Sequence, residues 1–260
     1  MLGRFLEYSI PTPDIRASLD FYGALGFSQA EVGETWPHPY AVVTDGRLHL
    51  GLHQQTTPQQ TTALNATGQH ATAAILAYAA AALPALTFVK ADVLHQLGIL
   101  ESRRVTLEYR KLGNDVFNEI GWLDPSGHLV RLIEARTFSP IKNPQGSLCG
   151  YFQEIGLPAP DRELAKNYWE ELGFVGLDEP DAALAHISCT SDSIDIGLYD
   201  PAQLSLPTLV FETEDVAAAL ARLASAGIMP SGTVPAALRD RPVAMLAAPE
   251  GTRILLLTDG

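Results

Sequence analysis

The chain is short of the features that mark several common classes. Two cysteines in 260 residues, Cys149 and Cys189, give no disulfide framework and match no metal-binding spacing. Buried thiols in a reducing cytoplasm are the expectation. No run of about 20 uncharged apolar residues occurs, so a membrane span is not expected. The apolar stretch 71–86 is too short and too alanine-rich. Basic residues are scarce, 17 against 30 acidic ones, for a net charge of −13. Nucleic acid, whose phosphates need basic patches, is disfavoured as a partner. The same field suits a cationic ligand, and it also suits simple solubility. There is no glycine-rich phosphate loop and no Gly-x-Ser-x-Gly nucleophile motif, so covalent catalysis has no support. Met1-Leu2-Gly3-Arg4-Phe5 runs directly into an alternating segment, which leaves no room for a signal peptide there.

What the chain does have is an internal repeat. Phe5-Leu6-Glu7-Tyr8-Ser9-Ile10-Pro11-Thr12-Pro13-Asp14 returns as Phe152-Gln153-Glu154-Ile155-Gly156-Leu157-Pro158-Ala159-Pro160-Asp161. Subtracting 14 from 161 gives an offset of 147, which also carries Phe21-Tyr22 onto Tyr168-Trp169 and Leu25-Gly26-Phe27 onto Leu172-Gly173-Phe174. Each copy reads as a strand, a proline turn, an Asp N-cap and a helix closed by glycine. Leu6, Tyr8 and Ile10 alternate with Phe5, Glu7 and Ser9, a period of two that predicts two distinct faces. The helix carries Ser18, Phe21, Tyr22 and Leu25 on one stripe, answered by Ala165, Tyr168, Trp169 and Leu172. Burying that stripe on one strand face leaves Glu7 and Glu154 on the other.

Further along, strands are predicted over 28–32, 40–44 and 48–52, with Asp45-Gly46 as a hairpin turn. A second unit follows: strand 85–89, helix 92–100, and strands 106–110, 116–123 and 129–133. The second half answers with 208–212, a helix over 216–226, a weak strand near Gly232, and strands 243–246 and 253–257. Asp124-Pro125-Ser126-Gly127 and Ala248-Pro249-Glu250-Gly251 are equivalent type I turns. Residues 54–83 are an insertion without a counterpart, either a lid over a pocket or a surface excursion. The expected domains are 1–137 and 149–260, each with its own core, joined by a linker over 138–148.

Four βαβββ units in this order resemble the vicinal oxygen chelate superfamily, which includes glyoxalase I, extradiol dioxygenases, and fosfomycin and bleomycin resistance proteins. Pro-Asp opens a helix closing on Phe-Tyr…Leu-Gly-Phe, and Asp-Pro-Ser-Gly precedes a last strand. The resemblance implies an α+β fold of two tandem glyoxalase-like half-open barrels. It also implies a divalent metal on the concave face of active members, held by first and last strands. Those positions fall on Glu7, His49, Ala85 and Arg131 in one half, and on Glu154, Asp195, Thr208 and Leu255 in the other. A catalytic site needs about three protein ligands and an open position. Neither half offers more than two, and Arg131 beside Glu7 suggests a charge-assisted pair instead. No cofactor is therefore favoured; the alternative is Fe, Mn, Ni or Zn on Glu7, His49 and His53.

The expected function is metal-independent binding of a small organic molecule in the clefts, as bleomycin resistance proteins trap a cationic drug. Glu7, Glu154 and Asp195 are the ligand-facing acids. Arg131, His49, His53 and Tyr199 are further lining residues. Trp36 and Tyr40, with Trp122 and Phe117, form an aromatic wall or pack in the core. His49 and His53 share a strand face and are expected towards solvent; His128 and His186 are expected at the surface. The rival readings are a lyase, isomerase or dioxygenase with unusual metal ligands, a metal-free enzyme using Glu7 as a base, and a scaffold with degenerate clefts. The tandem halves make a monomer feasible, with a homodimer the other possibility.

Overall fold

The structure is a computed structural model, and it describes residues 2–33, 36–55, 83–114 and 117–258. The first half contains β1 (Arg4–Thr12), α1 (Ile15–Ala24), β2 (Ser28–Val32), β3 (Tyr40–Thr44) and β4 (His49–Gln54). It continues with β5 (Ala85–Val89), α2 (Val93–Ser102), β6 (Leu107–Lys111), β7 (Glu119–Leu123), β8 (Leu129–Ile133) and the short β9 (Phe138–Ser139). The second half contains β10 (Tyr151–Pro158), α3 (Arg162–Glu171), β11 (Val175–Glu179), β12 (His186–Thr190) and β13 (Asp195–Tyr199). β14 (Thr208–Thr213), α4 (Val216–Ser225), β15 (Ala244–Ala247) and β16 (Arg253–Thr258) complete it. All but residues 54, 55 and 83 of the insertion lie outside the described residues, as do 115 and 116 in the expected strand 116–123.

The fold is α+β, and neither sheet closes into a barrel. One sheet has the order β6-β7-β8-β5-β1-β4-β3-β2-β9, the other β11-β12-β13-β10-β14-β16-β15. In each, the opening strands of the two units pair antiparallel at the centre, β1 with β5 and β10 with β14. Each of these α-helices starts on an aspartate that accepts backbone amides, Asp14, Asp92, Asp161 and Asp215, so the aspartate sets the helix entry by capping chemistry, with a proline before it at Asp14 and Asp161.

Three expectations change. First, simple alternation does not hold at the start of the opening strands. The register slips between Phe5 and Glu7, and again between Phe152 and Glu154. These bulges turn Phe5 to the helical side with Tyr8 and Ile10, while Leu6 packs with Ala30, Val42 and Phe138 on the concave side. Second, the halves do not keep separate cores. One apolar cluster spans both, with Phe27 and Phe211 ring centroids 6.5 Å apart and Phe88 and Phe174 6.4 Å apart. The helical faces meet, and polar clasps seal them. Tyr22 and Ser18 donate to Glu250 at 2.6 and 2.8 Å, and the Trp122 indole donates to the Tyr168 hydroxyl at 2.5 Å. A half-sheet exposes too much apolar helix surface to stand bare, so each covers the other.

Third, no strand forms near Gly232. The segment bonds to β15 through Ser231 N–H to Met245 O at 2.8 Å and Ala247 N–H to Ser231 Oγ at 3.0 Å. Pro230, Pro235 and Pro242 remove ladder donors. The chain becomes a strap carrying a 3-10 turn (Ala236–Leu238), and Leu238 packs, fully buried, against Val210, Met245, Leu255 and Leu257. The expected linker contributes β9, which closes the outer edge of β2.

Candidate functional site

Each concave face is built on a carboxylate lying over a glycine. A Cβ on Gly51 would run into the Glu7 carboxylate, and one on Gly197 into that of Glu154. Two residues beyond each glycine, and on the strand paired with it, sit a histidine and a tyrosine. In the first cleft His53 on β4 lies across from Tyr40 on β3, ring centroids 4.7 Å apart. In the second, Tyr199 on β13 stacks on His186 on β12, centroids 4.5 Å apart and planes 11° from parallel. The two residue types have exchanged strands, yet both reach the glutamate. Tyr40 donates its hydroxyl to Glu7 Oε2, and His53 Nε2 lies 3.2 Å from Oε1. Tyr199 donates to Glu154 Oε1 at 2.5 Å, and His186 Nε2 lies 3.4 Å from the same oxygen.

In the first cleft the described side chains bond to one another around Glu7. Ser9 donates to Glu7 at 2.7 Å and bonds Thr87 at 2.7 Å. Arg131 Nε donates to the Tyr109 hydroxyl at 2.8 Å and lies 3.4 Å from Glu119, while Tyr109 donates to Glu119 at 2.6 Å. The partner of Arg131 is thus Glu119, and it meets Glu7 only through Ser9, 3.4 Å from its guanidinium. This corrects the expected Glu7–Arg131 pair; the arginine is drawn to Glu119 by the shared Tyr109 hydroxyl. Burial alone would lower the Arg131 pKa, but Tyr109, Glu119 and Glu7 together raise it. Burial pushes Glu7 up, and the His53, Tyr40 and Ser9 bonds outweigh it, so its carboxyl ionises below the usual range. Trp36 lies over Arg131, 5.6 Å from the guanidinium, and edge-on to His53 and Tyr40.

His53 is buried rather than solvent-facing, and its Nδ1 lies 2.9 Å from His38 Nε2. Burial lowers the pKa of both, that of His38 to about 4. His49 stays apart, its ring 4.9 Å from that of Phe138. Trp122 is core and Phe117 is exposed, so the aromatic wall reduces to Trp36 and Tyr40. Phe117 follows residues that lie outside the described set, and Trp122 is claimed by the contact between the halves.

The second cleft is open. Leu255, Met245 and Val243 stand where Arg131, Gly121 and Glu119 stand in the first half, so apolar walls replace the ion pair. A cavity of about 350 Å³ remains above Glu154, lined also by His186, Ser188, Tyr199, Val210 and Leu257. Glu179, Asp181, Glu212 and Arg241 stand at its edge. Asp195, expected here, is not among the lining residues; burial and then the Glu154 charge raise its pKa, with Arg47 opposing. His186, expected at the surface, is half-buried and reaches Glu154; His38, Tyr109 and Glu119 of the first cleft were likewise not singled out from the sequence. For His186 the signal was available, since the offset holds at 147 through β2 and shortens to 146 at β3, which places His186 on Tyr40. His128 is half-buried, bonding the Pro158 carbonyl at 2.9 Å.

Among the described residues, those at the first- and last-strand positions do not fit the divalent metal that the resemblance implies. Val210 and Leu255 flank Glu154, and the Arg131 cation occupies the first cleft. Among the described residues no group of three or more His, Cys, Asp or Glu side chains is arranged to hold an ion.

The two clefts respond oppositely to pH. His38 and His53 have depressed values, so the unfolded chain takes up protons below its ordinary value of 6.5 while the folded chain does not. Their contribution is complete above that pH and lost as pH falls towards about 4, and Glu7 adds to the loss below 4.5. Burial lowers the His186 pKa, but the Glu154 bond and charge outweigh it and raise the value. Its contribution is complete below 6.5 and fades as pH rises through that raised value. Urea midpoints across pH are expected to show a shallower acid limb for His38→Gln and a flatter alkaline limb for His186→Gln. Identical profiles for variants and parent would show that neither cleft couples to pH.

The comparisons agree with this architecture. The chain is similar to the 2,3-dioxygenase LapB from Pseudomonas sp. KL28, with 15% identity, a TM-score of 0.57, and 100% of this chain and 94% of that one covered. It is similar to homoprotocatechuate 2,3-dioxygenase from Arthrobacter globiformis at 13% identity and a TM-score of 0.58, covering 99% and 80%. A third likeness is the Mn(II)-bound glyoxalase from Novosphingobium aromaticivorans, at 13% identity and 0.56, covering 99% and 82%. Identities this low show a shared fold alone. No curated protein sequence matches the chain. Residues 4–132 match the family described as "Glyoxalase/Bleomycin resistance protein/Dioxygenase superfamily". Residues 4–132 belong to that glyoxalase, or vicinal oxygen chelate, superfamily, and the second half repeats their order of strands and helices except for the strand missing near Gly232, which makes the chain a tandem member.

Proposed function

We propose that the protein binds a small organic cation in its second cleft, without a divalent metal. The observation that carries this reading is the Glu154 carboxylate at the floor of an open cavity whose walls are Leu184, Val210 and Leu257. A carboxylate held by Tyr199 and His186 is pre-organised to meet a cationic group. Glu179, Asp181 and Glu212 at the edge outnumber Arg241, so the local field draws positive charge inward. The apolar walls take the body of the ligand. The first cleft carries its own cation, Arg131, and does not compete for such a ligand. Sequestration of a cationic metabolite or drug is the form of activity this supports.

The test is calorimetric titration and thermal shift with primary and quaternary ammonium compounds bearing apolar bodies, each beside a neutral isostere. The ammonium compounds should stabilise the protein, because a ligand that prefers the native state must do so. Glu154→Gln should cost about ten-fold or more in affinity, in keeping with about 1.5–3 kcal/mol for hydrogen bonds to charged groups. Affinity should also fall at acid pH, where a protonated His186 competes for the carboxylate. Equal binding of neutral isosteres, or unchanged affinity in Glu154→Gln, would refute the reading. A divalent ion retained on purification and released by Glu154→Gln would point to the metal-dependent alternative.

A further inference from the structure

We infer that the outer edge of β11 is a self-association surface, at which a second copy of this chain adds its own β11 antiparallel across a twofold axis at Leu177. The repeat supplies the first reason. Ala30 on β2 and Leu177 on β11 are equivalent, since 30 plus 147 is 177. In the first half that edge is closed by β9, and Phe138 packs over Ala30, which is buried. In the second half β11 pairs, among the described residues, only with β12, and Val175 and Leu177 are 59% and 50% exposed. An edge strand with free backbone groups and outward apolar side chains is a template for another strand.

The sequence of β11 is complementary to itself. Antiparallel pairing about Leu177 uses all five residues, Val175 to Glu179. It sets Leu177 opposite its own copy, Val175 opposite Glu179, and Gly176 opposite Asp178. No like charges face each other; an axis at Asp178 would place two carboxylates together. On the other side of the strand, Lys166 of α3 lies against Gly176, with its Nζ 4.0 Å from Asp178 of its own chain. Asp178 of the second copy would stand opposite that same Gly176, so each lysine gains a carboxylate across the axis. The apolar stripe Val175-Leu177 meets its equivalent on the concave side, next to Ser188 and Glu179 of the second cleft. The second copy thereby brings its Val175 to the rim of that cleft. A single short strand per copy makes a small interface, so association should depend on concentration.

Light scattering coupled to size exclusion, over a range of concentrations, should show a monomer–dimer equilibrium, and Leu177→Lys should abolish it with an unchanged melting temperature. Oxidation of Leu177→Cys should give a covalent dimer, because directly opposed residues have Cβ atoms about 4.5–5.5 Å apart. Val175→Cys should not, because it and its copy lie about 14 Å apart along the strands at about 3.4 Å per residue. Cys149 and Cys189 are buried and do not confuse the reading. A protein that stays monomeric at every concentration overturns the inference. So does a dimer that survives Leu177→Lys, or equal cross-linking from both positions.

Discussion

Replacing Arg131 by leucine is expected to lower stability by about 3–5 kcal/mol, the usual cost of removing one partner from a buried ion pair. Arg131 and Glu119 are both buried, and the arginine also donates to Tyr109 and Ser9. Its loss leaves the Glu119 carboxylate with the Tyr109 hydroxyl alone, and places Glu7 in the same field without a compensating cation. The size of the side chain is not the issue, because the second half carries Leu255 at the equivalent point and packs it fully. Arg131→Leu combined with Glu119→Gln should therefore recover much of the loss, since an ion pair replaced as a unit is often nearly neutral. Urea unfolding gives the check, with a shifted midpoint and an unchanged slope as the sign of a stability effect. A loss below about 1 kcal/mol for the single variant, the range of a surface pair, would mean that the cluster is hydrated.

Gly197→Ala is expected to cost about 3 kcal/mol, at the upper end of what overpacking a well-filled site produces. The added methyl overlaps the Glu154 carboxylate and approaches the Tyr199 ring, so the hydrogen bond between them cannot persist. Cation binding in the second cleft should disappear with it. Gly51→Ala should destabilise the first half similarly, through Glu7. Gly98→Ala is the control, because nothing lies within 4 Å of its added Cβ. If Gly197→Ala matches that control in stability and binding, the carboxylate is not seated on the strand as described.

Much of the architecture was legible because it rests on local chemistry. Pro-Asp caps, Leu-Gly-Phe stops, the Asp45-Gly46 turn and the two type I turns each fix a short segment, and the repeat arranges those segments into four units. Glu7, Glu154, Tyr40, His53 and Tyr199 could be found because the strand period places them on one face. His186 was missed because a one-residue change of offset hides its equivalence to Tyr40. The face of Phe5 and Leu6 was misread because a bulge depends on the partner strand, which alternation does not contain.

By itself, the sequence determined the order of strands and helices outside the segment near Gly232, the cap residues, and which side chains stand at the positions where the superfamily usually holds its metal, since each follows from residue type and spacing. Only the tertiary structure decided that Arg131 turns to Glu119, that the strap over 230–243 packs Leu238 against Val210, Met245 and Leu255, and that the two halves share one core. Those outcomes depend on which buried groups compete for the same partner and the same space, and such competition is settled between segments far apart in the chain.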